Sequence, residues 1–447
     1  MRLKITSQLH IFLWLLAPGL LPGQPLYAAD TTYYVSSSDG ADSNTGLSSA
    51  PGDNGPFKTI AKVNALALQP GDAVLFKCGD VWRAEMLVIN RSGTAPNPIT
   101  FGSYPGGCAD KPVLSGAHAI SGWTAYGGNI YYADLSAGAN AGKFANGINQ
   151  LFRNGDRLPL GRWPNLDAGS GYSTIDSQPA ANRFTDAQLP AVDWSGAVAH
   201  VKGMRWYILN RQVTADSGST LTVGADLDCW GGSCTGWGYF LNNHLGTLDR
   251  EGEWYYNPAN KRVYLYTELG APAAGQIEGS VVLKADDRSW GGILLGEDLS
   301  GSGISYVGVE NLDVRRWFRH GIATPTNLAG YENHHVTLQG LSVSYLSVSG
   351  LHIDKTRKTP EKSEVSNQEN GHRPAQRNRV GGSFPEPFTR LYANGGQVST
   401  FNRISDLGSD QDKVLIRGYY LLWGIRGIRK TRRGNSADTL LIRTPSL

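Results

Sequence analysis

Apolar and polar residues alternate in two short runs within residues 304–354, and the second run repeats the first. Seven positions recur at one constant offset (336 − 307 = 29), and the pairs are Val307/Val336, Val309/Leu338, Leu312/Leu341, Val314/Val343, Trp317/Leu346, Gly321/Gly350 and Ile322/Leu351. Alternation with a period of two predicts strands, and the phase shifts at Asn311 and Gly340 predict a corner in each run. Short strands that repeat between corners are typical of a β-solenoid, whose coils bury their inner faces by stacking.

One segment near the start of the chain has a helical period instead. Within residues 57–68, the side chains of Ile60, Val63 and Leu66 fall on one face of a helix. A short amphipathic helix at this place would cover the open end of a solenoid. The sequence therefore predicts an N-terminal capping helix ahead of the first coils.

The coil pattern is absent between about residue 121 and residue 284. Glu253-Trp-Tyr-Tyr, the Asn257-Pro turn and Arg262-Val-Tyr-Leu-Tyr predict a β-hairpin there, within a β-rich insert. Asp249, Glu251 and Glu253 form an acidic cluster beside that hairpin. We interpret this cluster as mainly structural, with substrate contact through Asp249 and Glu251.

The pattern also stops after Asp354, because the third copy due at Val365 (336 + 29 = 365) reads Val365-Ser-Asn-Gln. Residues 355–447 contain 17 Lys+Arg and 8 Asp+Glu, a net charge of +9, so the remaining 24 and 30 give −6. We expect an irregular basic tail and favour the hypothesis that it is translated out of frame. The alternative is a tail that binds nucleic acid or a polyanionic polysaccharide.

These observations divide the chain into five predicted parts. They are a signal peptide at 1–29, a cap with the first coils at 30–120, the insert at 121–284, further coils at 285–354 and the tail at 355–447. The signal is inferred from Arg2 and Lys4, followed by a short apolar core and the small residues Ala28 and Ala29. We expect a secreted or periplasmic protein without a membrane span.

Composition and cysteine usage agree with export. The 447 residues include 56 Gly, 20 Tyr and 12 Trp with only 18% charged residues, which suits an all-β extracellular protein. Aromatic rings can stack on sugars, although most of them must pack in cores. Cys78 with Cys108 and Cys229 with Cys234 form two local pairs; a bridge between the first two would contribute about 3 kcal/mol.

Several motifs resemble a known superfamily. They are Tyr33-Tyr-Val-Ser, Pro56-Phe-Lys-Thr-Ile, Gln69-Pro-Gly-Asp-Ala-Val-Leu-Phe-Lys, Leu151-Phe-Arg-Asn-Gly-Asp-Arg-Leu-Pro-Leu-Gly-Arg-Trp-Pro-Asn and Asn243-His-Leu-Gly-Thr-Leu-Asp-Arg-Glu-Gly-Glu-Trp-Tyr-Tyr-Asn-Pro. Over residues 31–354 the chain is similar to secreted bacterial right-handed parallel β-helix proteins of the pectate-lyase-like superfamily. Its insert resembles one found in β-helix glycoside hydrolases. The resemblance implies an all-β, right-handed parallel β-helix, but this superfamily hosts several reactions.

In enzymes that the chain resembles, the site lies in a groove along one parallel sheet. That resemblance nominates His320, His352 and Asp354 as outward-facing catalytic residues, with Ile322, Leu351 and Ile353 pointing inward. Arg316 and Arg319 are predicted to bind the carboxylates of uronate sugars. The alternative is that these residues belong to a solvated solenoid face.

We expect a glycoside hydrolase with a polysaccharide substrate. A polysaccharide lyase or uronate epimerase is one alternative, and a non-catalytic or truncated β-helix protein is another. No metal is expected: Asp39, Asp42 and Asn44 would suit Ca²⁺, but their spacing does not match an EF-hand and turn chemistry explains them. We expect no cofactor, no nucleic-acid partner and a monomer.

Overall fold

The computed structural model describes residues 30–204, 207–283, 291–296, 303–325 and 333–352, with the backbone of four short strands beyond them. This part of the chain is nearly all β, with almost no helix, which confirms the predicted all-β class. It contains the α-helix α1 (Ile60–Asn64) and the short 3₁₀-helices Gly138–Asn140 and Leu245–Thr247.

The strands are numbered in chain order. Those before the insert are β1 (Thr32–Val35), β2 (Ala73–Lys77), β3 (Val81–Arg83), β4 (Leu87–Ile89), β5 (Ile99–Tyr104) and β6 (Val113–Ser115). The next group is β7 (Ala117–Ala119), β8 (Thr124–Gly127), β9 (Ile130–Asp134), β10 (Ile148–Arg153), β11 (Asp156–Arg157), β12 (Arg162–Trp163), β13 (Ser173–Thr174), β14 (Ser177–Ala180), β15 (Arg183–Thr185), β16 (Val198–Val201), β17 (Leu209–Asp216), β18 (Thr220–Val223), β19 (Gly238–Asn242), β20 (Trp254–Asn257), β21 (Arg262–Tyr266) and β22 (Ile277–Val281). The rest are β23 (Gly291–Leu295), β24 (Ser305–Glu310), β25 (Asp313–Arg315), β26 (His320–Ala323), β27 (His334–Ser344), β28 (Ser349–His352), β29 (Glu364–Asn367), β30 (Ser399–Ser405), β31 (Val414–Arg417) and β32 (Leu440–Ile442).

Three ribbons of parallel strands flank the insert. The first runs β1-β2-β5-β24-β27, the second joins β3, β6, β25 and the end of β27, and the third runs β4-β23-β26-β28. Strands of the sequence repeat are direct partners, since Val307 pairs with Val336 and Ile322 with Leu351. The 29-residue offset in the sequence is therefore the register of the parallel pairing.

The corners predicted between the runs adopt left-handed backbone conformations. Asn311 has φ 57° and Gly340, at the same place one repeat later, has φ 60°. A Cβ on Gly340 would lie 2.5 Å from Asn311 Oδ1. Glycine is therefore also required because the two corners approach each other too closely for a side chain. Arg316 and Tyr345, another pair at this offset, have φ 61° and 55°.

The ribbons enclose one apolar core. Register places Leu87, Ile293, Ile322 and Leu351 in one line across four adjacent strands of the third ribbon, and all four are buried. Full burial of such a side chain contributes about 1.5–3 kcal/mol. Ile322 and Leu351 therefore point inward as predicted, whereas Ile353 lies outside the described residues.

The insert forms three further sheets whose named strands pair antiparallel, between residues 117 and 281. Their orders are β11-β10-β22-β7, β20-β21-β9-β8 and β12-β19-β16-β17-β18-β15-β14 with β13 beside β19. β20 and β21 form the predicted hairpin, with Tyr255 opposite Tyr264. The larger sheet has its own core around Trp194 and Tyr239, and the two smaller sheets share another around Leu151 and Trp254.

Buried polar side chains join the insert to the ribbons. The Gln150 amide on β10 donates to the Trp317 and Tyr345 carbonyl oxygens at 3.1 and 3.3 Å. On β22, the Glu278 carboxylate pairs with both Arg83 and Arg316. The insert is thus attached to two successive corners of the second ribbon.

The predicted capping helix forms over five residues. The Thr59 hydroxyl accepts a hydrogen bond from Lys62 N, and Ile60 and Val63 are buried on the inner face. Asp42 accepts hydrogen bonds from Lys58 N and Thr59 N, which fixes the entry to the helix. Disulfides join Cys78 to Cys108 and Cys229 to Cys234.

Several predictions fall beyond the described residues. These include the signal peptide at 1–29, Asp354 and most of the tail at 355–447. The backbone of β29 contains Val365 and pairs antiparallel with β30, so it does not extend the parallel register. Within the described ranges, we find no helix that is long and apolar enough to cross a membrane.

Candidate functional site

Two segments of the insert that are distant in sequence meet in one place. The loop after the second 3₁₀-helix, residues 248–253, packs against residues 159–167. Gly161 N donates to Trp254 O at 2.9 Å, and Asn165 Nδ2 donates to Asp249 Oδ1 at 2.9 Å. Arg250 Nη1 lies 2.6 Å from both carboxylate oxygens of Asp167. These contacts bring together the two insert motifs that contribute to the resemblance.

Glu253 is the buried carboxyl of this loop, with 4% of its surface exposed. Its Oε2 accepts hydrogen bonds from Asp249 N at 3.0 Å and Arg250 N at 3.1 Å, so the carboxyl closes the turn. Burial raises the pKa of Glu253 to about 7 despite these two donors. A carboxyl with this pKa retains its proton in a substantial fraction of molecules at neutral pH, as a general acid must.

Asp249 and Glu251, the predicted substrate-binding carboxylates, are both exposed at the surface of the loop. Glu251 pairs with Arg153 and accepts a hydrogen bond from Glu268 N at 2.6 Å. Burial opposes ionisation of Glu251, but these hydrogen bonds outweigh it and lower the pKa of that carboxyl. The loop therefore contains one protonatable carboxyl beside carboxylates that face the solvent.

A basic and aromatic group lies next to this loop. The Arg162 guanidinium is 4.0 Å from the ring centroid of Phe240 and interacts electrostatically with Glu253. His200 stacks on Phe240 with ring centroids 4.4 Å apart, and its ring nitrogens contact Asn210 Oδ1 and Asn242 Oδ1. These contacts give the loop a cationic border towards the larger insert sheet.

The structure places His320 away from the solvent. The side chain is buried, with 2% exposed, and its Nδ1 lies 2.6 Å from Ser349 Oγ. A Cβ on the neighbouring Gly321 would lie 2.4 Å from Val343 Cγ1, a core side chain, although Ile322 also belongs to the core, so regular alternation does not hold at this point of β26. The catalytic role of His320 stays a prediction.

Arg316 is also placed differently from its predicted role in substrate binding. Its guanidinium pairs with Glu278 and lies 5.1 Å from the ring centroid of Phe152, and the residue is 8% exposed. The left-handed corner turns this side chain towards the insert rather than towards solvent. Arg319 is half-buried, and its carbonyl accepts a hydrogen bond from Val348 N at 2.9 Å.

Of the remaining predicted catalytic residues, only the backbone of His352, at the end of the third ribbon, is described. His352 pairs with Ala323 through the backbone, whereas its side chain and the whole of Asp354 lie outside the described residues. Leu294 and Ala323, partners in the adjacent strands, are fully buried and pack with Met86 and Val88. The described part of this ribbon therefore has an apolar second face.

The sequence did not predict that Glu253 is buried with a raised pKa. The carboxyls at 249, 251 and 253 were visible as a cluster, but the adjacent aromatic residues favoured a packed hairpin. The hairpin does form, and its packing is what buries Glu253 and raises its pKa. An acidic residue placed next to a buried tryptophan, here Trp254, is the signal that could have identified it.

The calcium alternative has no support in the contacts of its residues. Asp39 pairs with Lys77, Asp42 accepts hydrogen bonds from the backbone at the start of α1, and Asn44 Nδ2 donates to Pro56 O. Across the described residues, no group of three or more His, Cys, Asp or Glu side chains is placed to hold a metal ion.

Comparison with known proteins gives partial matches. No family model matches the chain. The chain is 41% identical over 91 residues to Lacto-N-biosidase from Bifidobacterium longum subsp. longum, a stretch that is 20% of this chain and 5% of that protein. The chain thus spans a very small part of the length of this curated relative.

Two solved structures also match the chain only in part. A protein described as a glycoside hydrolase is 18% identical with a TM-score of 0.48, over 64% of this chain and 51% of that one. The GH136 lacto-N-biosidase from Eubacterium ramulus is 37% identical over 20% of this chain and 14% of that one, with a TM-score of 0.17.

Proposed function

We propose that this chain is a secreted glycoside hydrolase acting on a polysaccharide or a long oligosaccharide. The observation that carries this proposal is the 41% identity over 91 residues to a relative named Lacto-N-biosidase. The geometry of the loop at 248–253 supports it, because a protonatable carboxyl stands next to an exposed carboxylate. Glycosidic cleavage commonly uses two such groups, roughly 5–10 Å apart.

In this proposal Glu253 is the general acid. Its carboxyl donates a proton to the glycosidic oxygen as the bond from that oxygen to the anomeric carbon breaks. Asp249 is the partner carboxylate, which either attacks the anomeric carbon or takes a proton from the attacking water. The water supplies the hydroxyl group of the new reducing end. When Asp249 is the nucleophile, this water cleaves the ester to Asp249 and its proton returns to Glu253; when Asp249 is the base, it takes the proton and releases it to solvent, and Glu253 regains a proton from solvent. Asn165 Nδ2 holds Asp249 in place at 2.9 Å.

We also propose that the three parallel ribbons are the three sheets of a right-handed parallel β-helix, and that each successive coil adds one strand to every ribbon. The 29-residue register of β24 with β27 and of β26 with β28 supports this. Residues 30–120 would then be the cap and first coils, 121–284 the insert and 285–354 further coils. The groove residues His352 and Asp354 stay proposed for a second substrate-contacting region at the end of the third ribbon.

Export belongs to the same proposal. Residues 1–29 would be removed as a signal peptide, and the two disulfides suit an oxidising compartment. The lyase alternative depended on arginines that bind uronate carboxylates. The pairing of Arg316 with Glu278 takes one of these arginines out of that role, so we favour hydrolysis.

The test is a product assay on the purified chain with soluble xylan, pectin, alginate and p-nitrophenyl β-lacto-N-bioside. New reducing ends or released nitrophenol, without the ultraviolet absorbance of unsaturated uronates, are expected. Glu253→Gln should lower the rate about 10²–10⁴-fold, whereas Glu310→Gln on β24 serves as the matched control. Unsaturated products would identify a lyase, and the absence of any product would favour the non-catalytic alternative.

A further inference from the structure

The outer face of the sheet β20-β21-β9-β8 contains four clustered tyrosines. Register aligns Tyr255, Tyr264 and Tyr132 in one row across three strands. Tyr126 on β8 completes the group, with ring centroids 5.2 Å from Tyr264 and 6.4 Å from Tyr132. We call these four residues the tyrosine face.

The tyrosine face is opposite the core of its own sheet. Alternation sends Ala133, Val263 and Leu265 to the other side, where they are fully buried. Tyr126 remains 52% exposed, and every residue of β8 is exposed. Tyr264 is 3% exposed beneath the neighbouring rings, and the half-buried Tyr132 and Tyr255 form the solvent-facing part of the face together with Tyr126.

Polar groups surround these rings. The Arg262 guanidinium lies 4.4 Å from the ring centroid of Tyr132, and Asn260 Nδ2 donates to the Tyr264 hydroxyl at 3.0 Å. Asn129 Nδ2 donates to the Tyr266 hydroxyl at 3.1 Å. Flat apolar surfaces bordered by amide, hydroxyl and guanidinium groups match a saccharide, which has apolar C–H faces bordered by hydroxyl groups.

The tyrosine face continues into the loop that contains Glu253. Tyr266 N donates to Glu253 O at 2.8 Å, so the β20–β21 ladder extends to Glu253. Glu253 and Tyr255 are two residues apart along this strand, and alternation places both on the same side, about 7 Å apart. A chain lying on the tyrosines would therefore lead towards the carboxyl group.

We propose that the tyrosine face is a glycan-binding platform that holds several sugar units of the chain cleaved beside Glu253. This inference rests on the proposed hydrolase function, but it concerns binding and can be tested without turnover. Cross-strand tyrosine pairs also stabilise sheets. The buried Tyr264 serves that purpose, whereas the half-exposed ring of Tyr126 provides surface for a ligand.

Affinity electrophoresis tests the platform. The full chain and its variants are run through native gels containing soluble xylan, pectin, alginate or galactan, and mobility gives the dissociation constant. At least one polymer should retard the wild-type protein. Tyr126→Ala should weaken that binding roughly five- to tenfold, and Tyr126→Phe should retain most of it because the ring remains. Tyr207→Ala, outside this sheet, is the matched control.

The outcomes separate the two proposals. Wild-type binding to none of the polymers, or equal binding by Tyr126→Ala and wild type, would overturn the platform. Retardation that depends on Tyr126 in a protein that cleaves no substrate would support the platform and reject the hydrolase. Circular dichroism of each variant is required to match the wild type, and loss of binding with an intact spectrum in Tyr126→Ala but not Tyr207→Ala supports the inference.

Discussion

At the scale of single residues, the pKa of Glu253 predicts the pH dependence of the reaction. Burial raises that pKa to about 7, and the protonated carboxyl is the form that can donate. Activity should therefore fall as pH rises through about 7. The measurement is kcat/KM against pH on a released-nitrophenol or reducing-end assay.

The variant Glu253→Gln distinguishes proton donation by Glu253 from its structural role as a hydrogen-bond acceptor within the loop. Glu253→Gln can still accept hydrogen bonds from the loop but has no proton to donate, so the alkaline limb near pH 7 should disappear along with most of the rate. If Glu253→Gln keeps both the wild-type rate and the wild-type limb, another group is the acid.

Arg316 leads to a stability prediction. Its guanidinium and the Glu278 carboxylate are both largely buried, and Arg316→Ala leaves that carboxylate paired with Arg83 alone. Removing one partner of a buried pair costs about 3–5 kcal/mol when the other charge is left unpaired, and the remaining pair with Arg83 should reduce this cost. Arg315→Ala is the neighbouring control, because its pair with Asp313 is more exposed and should contribute about 1 kcal/mol or less.

Urea denaturation of the two variants gives the comparison directly. A larger loss of unfolding free energy in Arg316→Ala than in Arg315→Ala is expected. Equal stabilities with a changed affinity for uronate polymers would instead support the substrate-binding role predicted from the sequence.

At the scale of elements, the sequence repeat predicted the strands of the ribbons well. The apolar positions that alternate along each run are the positions that pack on their counterparts in the next strand, so alternation and pairing register agree. Each inward position must meet its counterpart in the next strand, and Val307 with Val336 does so. Alternation did not predict the burial of His320, which is 2% exposed although the sequence pattern assigned it to the outer face. The insert gave weaker signals, since its 16 named strands are mostly five residues or shorter and several pair across long sequence separations.

The candidate site was harder to derive than the strands. Asp249 and Glu251 were identified as an acidic group, yet the raised pKa of Glu253 depends on its burial in a loop that packs against residues 159–167. That contact joins segments almost 90 residues apart, and periodicity contains no information about it. Sequence patterns gave the residue types, and only tertiary packing separates the buried carboxyl of Glu253, with its raised pKa, from the exposed carboxyls of Asp249 and Glu251.

The left-handed corners offer a test of the repeat geometry. Gly340→Ala introduces both a strained φ of 60° and a Cβ 2.5 Å from Asn311 Oδ1. Gly169→Ala introduces a similar φ of 57° where no atom lies within 4 Å, and so isolates the backbone contribution. The backbone strain alone costs about 1–2 kcal/mol, and Gly340→Ala should lose more stability than Gly169→Ala. Equal losses in thermal unfolding would mean that the two corners do not approach each other closely.

At the scale of the whole molecule, buried polar side chains join the insert to the ribbons, and Gln150 is one of them. Gln150 is 1% exposed, and its amide donates to carbonyl oxygens of two successive corners, those of Trp317 and Tyr345. Gln150→Leu keeps the volume but leaves those carbonyl groups without this donor. The expected cost is about 1–3 kcal/mol for the buried groups that lose their partner.

The position of Gln150 predicts more than a loss of stability. If this contact couples the two parts, wild-type protein should unfold with coincident transitions by calorimetry and tryptophan fluorescence, and Gln150→Leu should separate them. Asn149→Leu is the neighbouring comparison, because the half-buried Asn149 donates to Phe318 O and Ser347 Oγ at 3.0 and 2.6 Å. Coincident, unshifted transitions in Gln150→Leu would show that apolar packing between insert and ribbons holds the molecule together without it.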